Sequence, residues 1–317
     1  MNIYINNYCN QRCPYCFAVD YMGGKEKKEM SLDNFKKVLA FLKKSRFMKL
    51  RLEGGESTLH PLFEDFIDLS LSRGFTVDLF TNGQFGGKVR KFLYLRNQYL
   101  TYIWNINHPS FYARDNWKKL KSNIAKLTAG NSLFGVNVYN LEQDLSYMYD
   151  LCKAFKPRMV RYVFAHQTGG DSLVSTIHPR DLHKIIPRVI GLTKQLGEEL
   201  GVKLMFDCGF IPCIWPDHAL AVFVKYGTIF NYCYLCPGID TDLNVSHCFQ
   251  TYKENDKKKL TDFKNSDELY MFLRDVKDKY RDLNLFPKCR SCYSRKLNVC
   301  DGGCLGDRKA IAKGWDN

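Results

Sequence analysis

The sequence predicts an α/β fold: a mainly parallel sheet of strand–helix units curling into a partial (β/α)6 barrel, followed by a small cysteine-rich C-terminal domain. Three observations predict it. Short apolar strand patterns alternate with amphipathic helical patterns from residue 3 to about 206, the rhythm of βαβ units. Three Cys-, Gly- or Asn-bearing segments each follow a predicted strand, which gathers them on one rim of the sheet, where such folds place ligands. From about residue 207 Gly, Pro and Cys become dense and the alternation stops. The reading is therefore two units, 1–207 and 208–317.

The elements follow in order. Ile3-Tyr4-Ile5 reads as a strand, with a cysteine-bearing loop after it. Residues 31–43 read as a helix with Ser31 as its N-cap. A strand over 48–52 leads into Glu53-Gly54-Gly55-Glu56, and a helix covers 61–72. A strand over 75–80 ends in Thr81-Asn82-Gly83. A helix over 88–96, a strand over 101–107, a helix over 116–127 and a strand over 134–139 come next. A helix over 142–155 and a strand over 159–164 lead to Gly169-Gly170. A long helix over 179–200 and a strand over 202–206 close the series, and one further helix is expected over 266–283.

The bulk numbers exclude several classes. At 317 residues with 45% hydrophobic content the chain can build a sizeable core and is not disordered. No run of about eighteen apolar residues predicts a membrane span. The first residues lack the basic and apolar regions of a secretory signal, so a reducing, cytoplasmic setting is expected. There, thirteen cysteines point to metal or catalysis rather than disulfides. The net charge of +14 fits a solvated lysine surface or an acidic partner. Cubanes ligated by thiolates, each about −2 when oxidised, would cancel part of it. No helix-turn-helix or RNA-binding aromatic signature directs the charge to nucleic acid.

The cysteines cluster. Cys9, Cys13 and Cys16 fall within the first sixteen residues, nine lie from 208 to 304, and Cys152 stands between them in a helical pattern as a core thiol. The run Cys9-x3-Cys13-x2-Cys16 can wrap one face of a [4Fe–4S] cubane. Such a cluster wants four thiolates. With three, one iron keeps an open position, where a metal site does chemistry. A zinc knuckle completed by His60 or His108 is the bland alternative.

These residues resemble the radical S-adenosylmethionine (SAM) superfamily. The triad spacing is that family's signature, and Leu52 to Pro61 (LEGGESTLHP) is similar to its GGEPTLHP segment. Leu79 to Gly83 (LFTNG) resembles its TNG strand end. The resemblance implies a TIM-like partial barrel in which Cys9, Cys13 and Cys16 hold a SAM-binding [4Fe–4S] cluster. It implies SAM contacts from Tyr15, Gly54, Gly55, Glu56, Thr81, Asn82, Asn105 and Asn107. Asn105-Ile106-Asn107 sits where relatives carry Ser-Leu-Asp, so Asn107 puts an acid–base role there in doubt. Ser57 replaces the usual proline. The implied reaction is reductive cleavage of SAM to a 5′-deoxyadenosyl radical that abstracts a hydrogen from an unactivated carbon, with a flavodoxin or ferredoxin as electron donor.

The C-terminal unit resembles the SPASM/twitch type of auxiliary iron–sulfur domain. Cys236-x11-Cys248 and Cys289-x2-Cys292-x7-Cys300-x3-Cys304 carry the likeness. It departs in two ways: Leu243 replaces a usual glycine, and no cysteine follows Cys304. Carried over by position, Cys233, Cys236, Cys248 and Cys304 would hold a first auxiliary cluster. Cys289, Cys292 and Cys300 would hold a second, its fourth ligand open among Cys208, Cys213 and an Asp. A single cluster on Cys213, Cys236, Cys248 and Cys304 is the variant partition, and C-x2-C followed by C-x3-C is also a zinc pattern. Cys208 and Cys213 are also the candidates for a hydrogen-atom donor.

Three functions compete. One is peptide modification of the kind that matures ribosomal peptides, by crosslinking, epimerisation or oxidation. Since the triad begins at residue 9, no leader-binding domain is expected ahead of it. The second is dehydrogenation or epimerisation of a small, sugar-like molecule. The third is a non-catalytic iron–sulfur or zinc scaffold, which the intact triad and Gly54-Gly55-Glu56 argue against.

Overall fold

The computed structural model describes residues 1–22, 26–127, 131–168, 173–229, 236–249 and 258–315. Cys233, Gly169 and Gly170 lie outside them. The sheet has eleven strands among the described residues. These are β1 (Asn2–Tyr4), β2 (Lys49–Glu53), β3 (Thr76–Thr81), β4 (Leu100–Asn105), β5 (Ser132–Val138), β6 (Met159–Phe164), β7 (Lys203–Phe206), β8 (Gly227–Ile229), β9 (Gly238–Ile239), β10 (Asn244–Ser246) and β11 (Lys258–Lys259). Strands β1 to β8 run parallel and side by side in chain order. On the other edge of β1, β9 pairs parallel, and β10 and β11 continue antiparallel.

The strand register separates two faces. Leu50, Leu52, Val77, Leu79, Tyr102, Trp104, Phe134, Val136, Val160 and Tyr162 alternate along their strands and are buried with the helices in the core. The residues between them include Arg51, Glu53, Phe80, Asn105, Gly135, Asn137 and Arg161, which line an internal cavity. A side chain flips face at every residue of a strand. The apolar set therefore faces the helices, and the mixed set faces the lumen.

The predicted helices stand with shifted ends. Ser31 caps the helix Leu32–Lys44, its hydroxyl accepting the Asn34 N–H at 3.1 Å. The helix expected over 142–155 is shorter, Tyr147–Phe155. Asn140 Oδ1 and Asp144 Oδ1 take the Glu142 and Ser146 N–H groups at 2.8 Å each, and such local bonds compete with the helix ladder. The helix expected over 179–200 is Ile186–Leu200, preceded by a 3₁₀ turn at Leu182–Lys184. Pro187 falls in its first turn, where a missing N–H costs nothing. The helix expected over 266–283 ends at Asp278.

The strand–helix alternation does not stop at residue 207. The helix Asp217–Tyr226 follows, and β8 extends the parallel sheet beyond β7. Cysteine and proline density around Cys208, Pro212, Cys213 and Pro216 masks this unit in the sequence. Its signature was the helical spacing of Ala219, Val222 and Phe223, all buried.

Candidate active site

The triad sits in the loop after β1, and the double glycine holds that loop in place. Ile5 N–H bonds Glu53 C=O, Gly55 N–H bonds Asn6 C=O and Glu56 N–H bonds Tyr8 C=O, at 2.9–3.0 Å. A Cβ on Gly54 would lie 2.1 Å from Asn6 Oδ1, and one on Gly55 would lie 2.2 Å from the Tyr8 carbonyl oxygen. The glycines are therefore demanded by the close approach of two chain segments. Both glycines also line the cavity.

Glu56 locks the Thr81-Asn82 strand end to the same loop. Its Oε1 accepts the Thr58 hydroxyl at 2.6 Å and the Thr81 hydroxyl at 2.9 Å, and its Oε2 accepts the Asn82 N–H at 2.8 Å. Burial raises its carboxyl above the ordinary range, while the bonds from Asn82, Thr58 and Thr81 oppose the rise.

The triad sulfurs already collect hydrogen-bond donors. Gln11 N–H reaches Cys9 Sγ at 3.3 Å, Asn82 Nδ2 reaches Cys9 Sγ at 3.5 Å, and Asn107 Nδ2 reaches Cys13 Sγ at 3.4 Å. Such donors stabilise thiolates and tune the potential of a cluster they hold. Burial pushes Cys9 up to about 12, raises Cys13, and pushes Cys16 up to about 11. These thiols release protons when a metal binds.

The rest of the expected SAM set is nearby. Tyr15 lines the cavity and gives its hydroxyl to Asn107 Oδ1. Asn105 lines it too and accepts Asn137 Nδ2 at 2.7 Å. Gly54, Gly55, Glu56, Thr81 and Asn82 complete that wall. Asn107 itself is buried behind Tyr15 and does not line the cavity.

The cavity, about 300 Å³, is lined by the triad and also by Cys208, Cys236, Cys248 and Cys304. The Cys208 thiol hydrogen-bonds that of Cys304, which together with burial holds it well above the ordinary thiol range. Cys236 accepts from Arg51 Nη1 at 3.8 Å. Cys213 lies outside the lining and is exposed. No disulfide joins the described cysteines, and Cys152 is a buried core thiol on the helix Tyr147–Phe155.

Several lining residues escaped the sequence reading. Arg161 pairs with Asp207, and its guanidinium stands 5.7 Å from the Phe80 ring centre. His166 bonds Asp307 Oδ2 at 2.7 Å, and Asp307 Oδ1 accepts the Gln167 N–H at 2.8 Å. Burial pushes that imidazole down, but the Asp307 charge and hydrogen bond outweigh it and leave the ring at about 9. His247 is 1% exposed, beside Cys248, and neither ring nitrogen has a hydrogen-bond partner. Burial, helped by the Lys277 charge, holds it down at about 4. A buried imidazole with both nitrogens unmet is what a polar group bound in the cavity would satisfy. Together with the unbridged thiols, it shows that these residues fit a bound cluster and ligand. The positions of His166 and Asp207 at strand ends were the signal available in the sequence.

Comparison with known proteins agrees. Residues 3–103 match the family model described as the radical SAM superfamily, and that part of the chain, which carries the triad and the Gly54-Gly55-Glu56 segment, is similar to that superfamily. An S-adenosylmethionine-dependent nucleotide dehydratase of Thermoplasmatales archaeon (strain ISO4-H5) is 34% identical over 82 residues, 26% of this chain and 28% of that protein. A tungsten-containing aldehyde ferredoxin oxidoreductase cofactor-modifying protein of Pyrococcus furiosus is 36% identical over 81 residues, 25% of this chain and 22% of that protein. These matches thus span less than a third of the curated relatives' length. Streptococcus suis SuiB bound to S-adenosylmethionine shares the fold over 99% of this chain and 74% of that one, with TM-score 0.72 and 14% identity. SuiB bound to precursor peptide SuiA aligns over 99% of this chain and 72% of that one, with TM-score 0.70 and 17% identity.

Proposed function

We propose that the chain reductively cleaves SAM and abstracts a hydrogen from a peptide substrate, in a maturation of the crosslinking, epimerising or oxidising kind. The observation that carries this reading is the shared cavity: the triad and four cysteines of the C-terminal region line one lumen. A substrate carbon there would lie between the site that generates a radical and groups able to take up an electron. The likeness to the fold of SuiB over nearly the whole chain, including a form bound to precursor peptide, favours a peptide among substrates.

The chemistry of the bound cluster and SAM is one-electron reduction and release of a 5′-deoxyadenosyl radical. The chain's own residues do the rest. Cys9, Cys13 and Cys16 would hold the iron, with Asn82, Asn107 and the Gln11 N–H facing their sulfurs. The Gly54-Gly55-Glu56 wall and Asn105 would orient SAM, and the apolar lining from Phe80, Ile103, Val163 and Phe164 excludes water from the reacting centre. Cys208, which faces the lumen, is the better placed of the two hydrogen-donor candidates. Cys236, Cys248 and Cys304 line the same lumen and would serve an auxiliary cluster, with Cys233 carried over by position. A cytoplasmic setting fits so many cysteines outside disulfides. No described helix is long and apolar enough to cross a membrane.

The test is anaerobic reconstitution followed by assay of 5′-deoxyadenosine under reductant, alone and with short cysteine- or repeat-rich peptides encoded beside the gene. Peptide-stimulated turnover with a mass change on the peptide supports the reading. Turnover stimulated only by a small sugar-like molecule replaces the substrate class. Cleavage that persists with Cys9, Cys13 and Cys16 all changed to Ala overturns the mechanism.

A further inference from the structure

Two short cysteine-bearing segments lie against each other in a fixed order. Residues 208–213 carry Cys208 and Cys213 with four residues between them, and residues 300–304 carry Cys300 and Cys304 with three between them. Cys208 contacts Cys304, while Cys213 lies within electrostatic reach of Cys300 and Cys289. Between these two pairings, Ile211 Cγ1 stands 3.6 Å from where a Cβ on Gly303 would be. The segments therefore run past each other in opposite order, with Cys208 beside Cys304, Ile211 beside Gly303 and Cys213 toward Cys300 and Cys289.

Gly302 and Gly303 make this arrangement work. Their φ angles are +79° and +87°, a left-handed conformation that side chains resist. The double turn sends Cys304 into the buried lumen and leaves Cys300 on the outer side, where Gly302 N–H donates to its sulfur at 3.3 Å. Cys289 and Cys292 share one turn, closed by a bond from Cys292 N–H to Cys289 C=O at 3.4 Å. Cys213 sits on the 3₁₀ turn Pro212–Ile214 and hydrogen-bonds Lys288, the residue before Cys289.

We propose that Cys213 is the fourth thiolate of the outer metal site, with Cys289, Cys292 and Cys300. Four thiolates are what a cubane needs, and Cys213 stands within reach of Cys289 and Cys300. This ligand comes from upstream, out of the loop after β7, and it ties the second site to the barrel. Because Cys213 is exposed, this site faces solvent while the Cys304 site faces the lumen. The outer site is then the point where electrons from a partner enter or leave. This makes Cys213 a ligand, and it removes Cys213 from the hydrogen-donor candidates. The inference deepens the reading above and rests on it only for the identity of the metal.

The test uses the full chain with Cys9, Cys13 and Cys16 changed to Ala, so that iron reports the C-terminal sites alone. After anaerobic loading with ferrous iron and sulfide this parent should hold about eight irons. Cys213→Ala should lower the count to about four, or to about seven with the oxidised EPR signal of a three-iron cluster. Cys292→Ala should do the same, and the double variant should lose no more than about four irons, the content of one cubane, since the two act on one site. Adding Cys304→Ala should cause a separate loss. Circular dichroism of each apo variant must match the parent, and Cys213→Ser, which keeps size and polarity, provides a second substitution if the alanine variant misfolds. A Cys213→Ala or Cys213→Ser chain with unchanged iron and unchanged EPR overturns the assignment. So does a double-variant loss of more than about four irons, which would place the two cysteines on separate sites. None of these readouts uses SAM cleavage, so failure of the proposed reaction would leave this result standing.

Discussion

The side chain of Asn107 holds two residues of the triad loop at once: its Nδ2 reaches Cys13 Sγ at 3.4 Å and its Oδ1 accepts the Tyr15 hydroxyl. A carboxylate there would offer no hydrogen to the sulfur and would face it with like charge. Asn107→Leu removes both bonds. The expected outcome is a cluster with a more negative reduction potential and SAM cleavage lowered about 10–100-fold, the usual cost of losing an outer partner of a metal ligand. Potentiometric EPR titration beside the 5′-deoxyadenosine assay checks it.

Gly55→Ala places a Cβ 2.2 Å from the Tyr8 carbonyl oxygen, against backbone that has no side-chain freedom to yield. The loop after β1 must move. We expect the variant to keep its helical circular dichroism and to lose the triad's cluster, about four irons per chain, while the C-terminal iron stays. Iron and sulfide analysis of the loaded chain measures the loss.

Glu56→Ala strands the buried Asn82 N–H and the Thr58 and Thr81 hydroxyls. Leaving buried donors unmet costs about 1–3 kcal/mol each when no water replaces the partner. Urea unfolding of the apo chain should show a loss of about 3 kcal/mol, and Glu56→Gln should recover part of it.

Glu53 lines the cavity, where burial pushes its carboxyl up to about 7 even though Arg51 and Arg161 pull it down. Its folded value lies above the ordinary 4.5. Between those values the folded chain binds a proton that the unfolded chain does not, so stability falls as pH rises. The contribution is fully present below about 4.5, and it is lost as pH rises through about 7. Glu53→Gln should therefore gain in melting temperature relative to the parent between about pH 5 and pH 8. Thermal unfolding of both apo chains at each pH checks the difference.

Much of this was readable beforehand because its causes are local. Alternating apolar residues fixed the faces of β2 to β6, and the spacing of Cys9, Cys13 and Cys16 set the metal chemistry without any tertiary information. Ser31 announced its helix by a bond that reaches three residues ahead. What the sequence hid depends on contacts between distant segments. The pairing of Arg161 with Asp207 crosses 46 residues, and that of His166 with Asp307 crosses 141. The short helix Tyr147–Phe155 was overdrawn because Asn140 and Asp144 satisfy the backbone ahead of it. The helix Asp217–Tyr226 was missed because its short amphipathic pattern is hemmed by prolines and cysteines.

The pairing of β9 with β1 bears on how this protein could be taken apart. Asn2 N–H bonds Pro237 C=O at 2.9 Å, and Gly238 presses so close to Tyr4 that a Cβ there would stand 2.4 Å from the ring. The strand that launches the triad is thus an interior strand only while the C-terminal residues lie alongside it. A chain cut at residue 207 would leave β1 as a bare three-residue edge, open to pairing with other chains. The C-terminal region is therefore not an interchangeable accessory: exchanging it between relatives would mean rebuilding the strand that positions Cys9, and the two regions should melt as one cooperative unit.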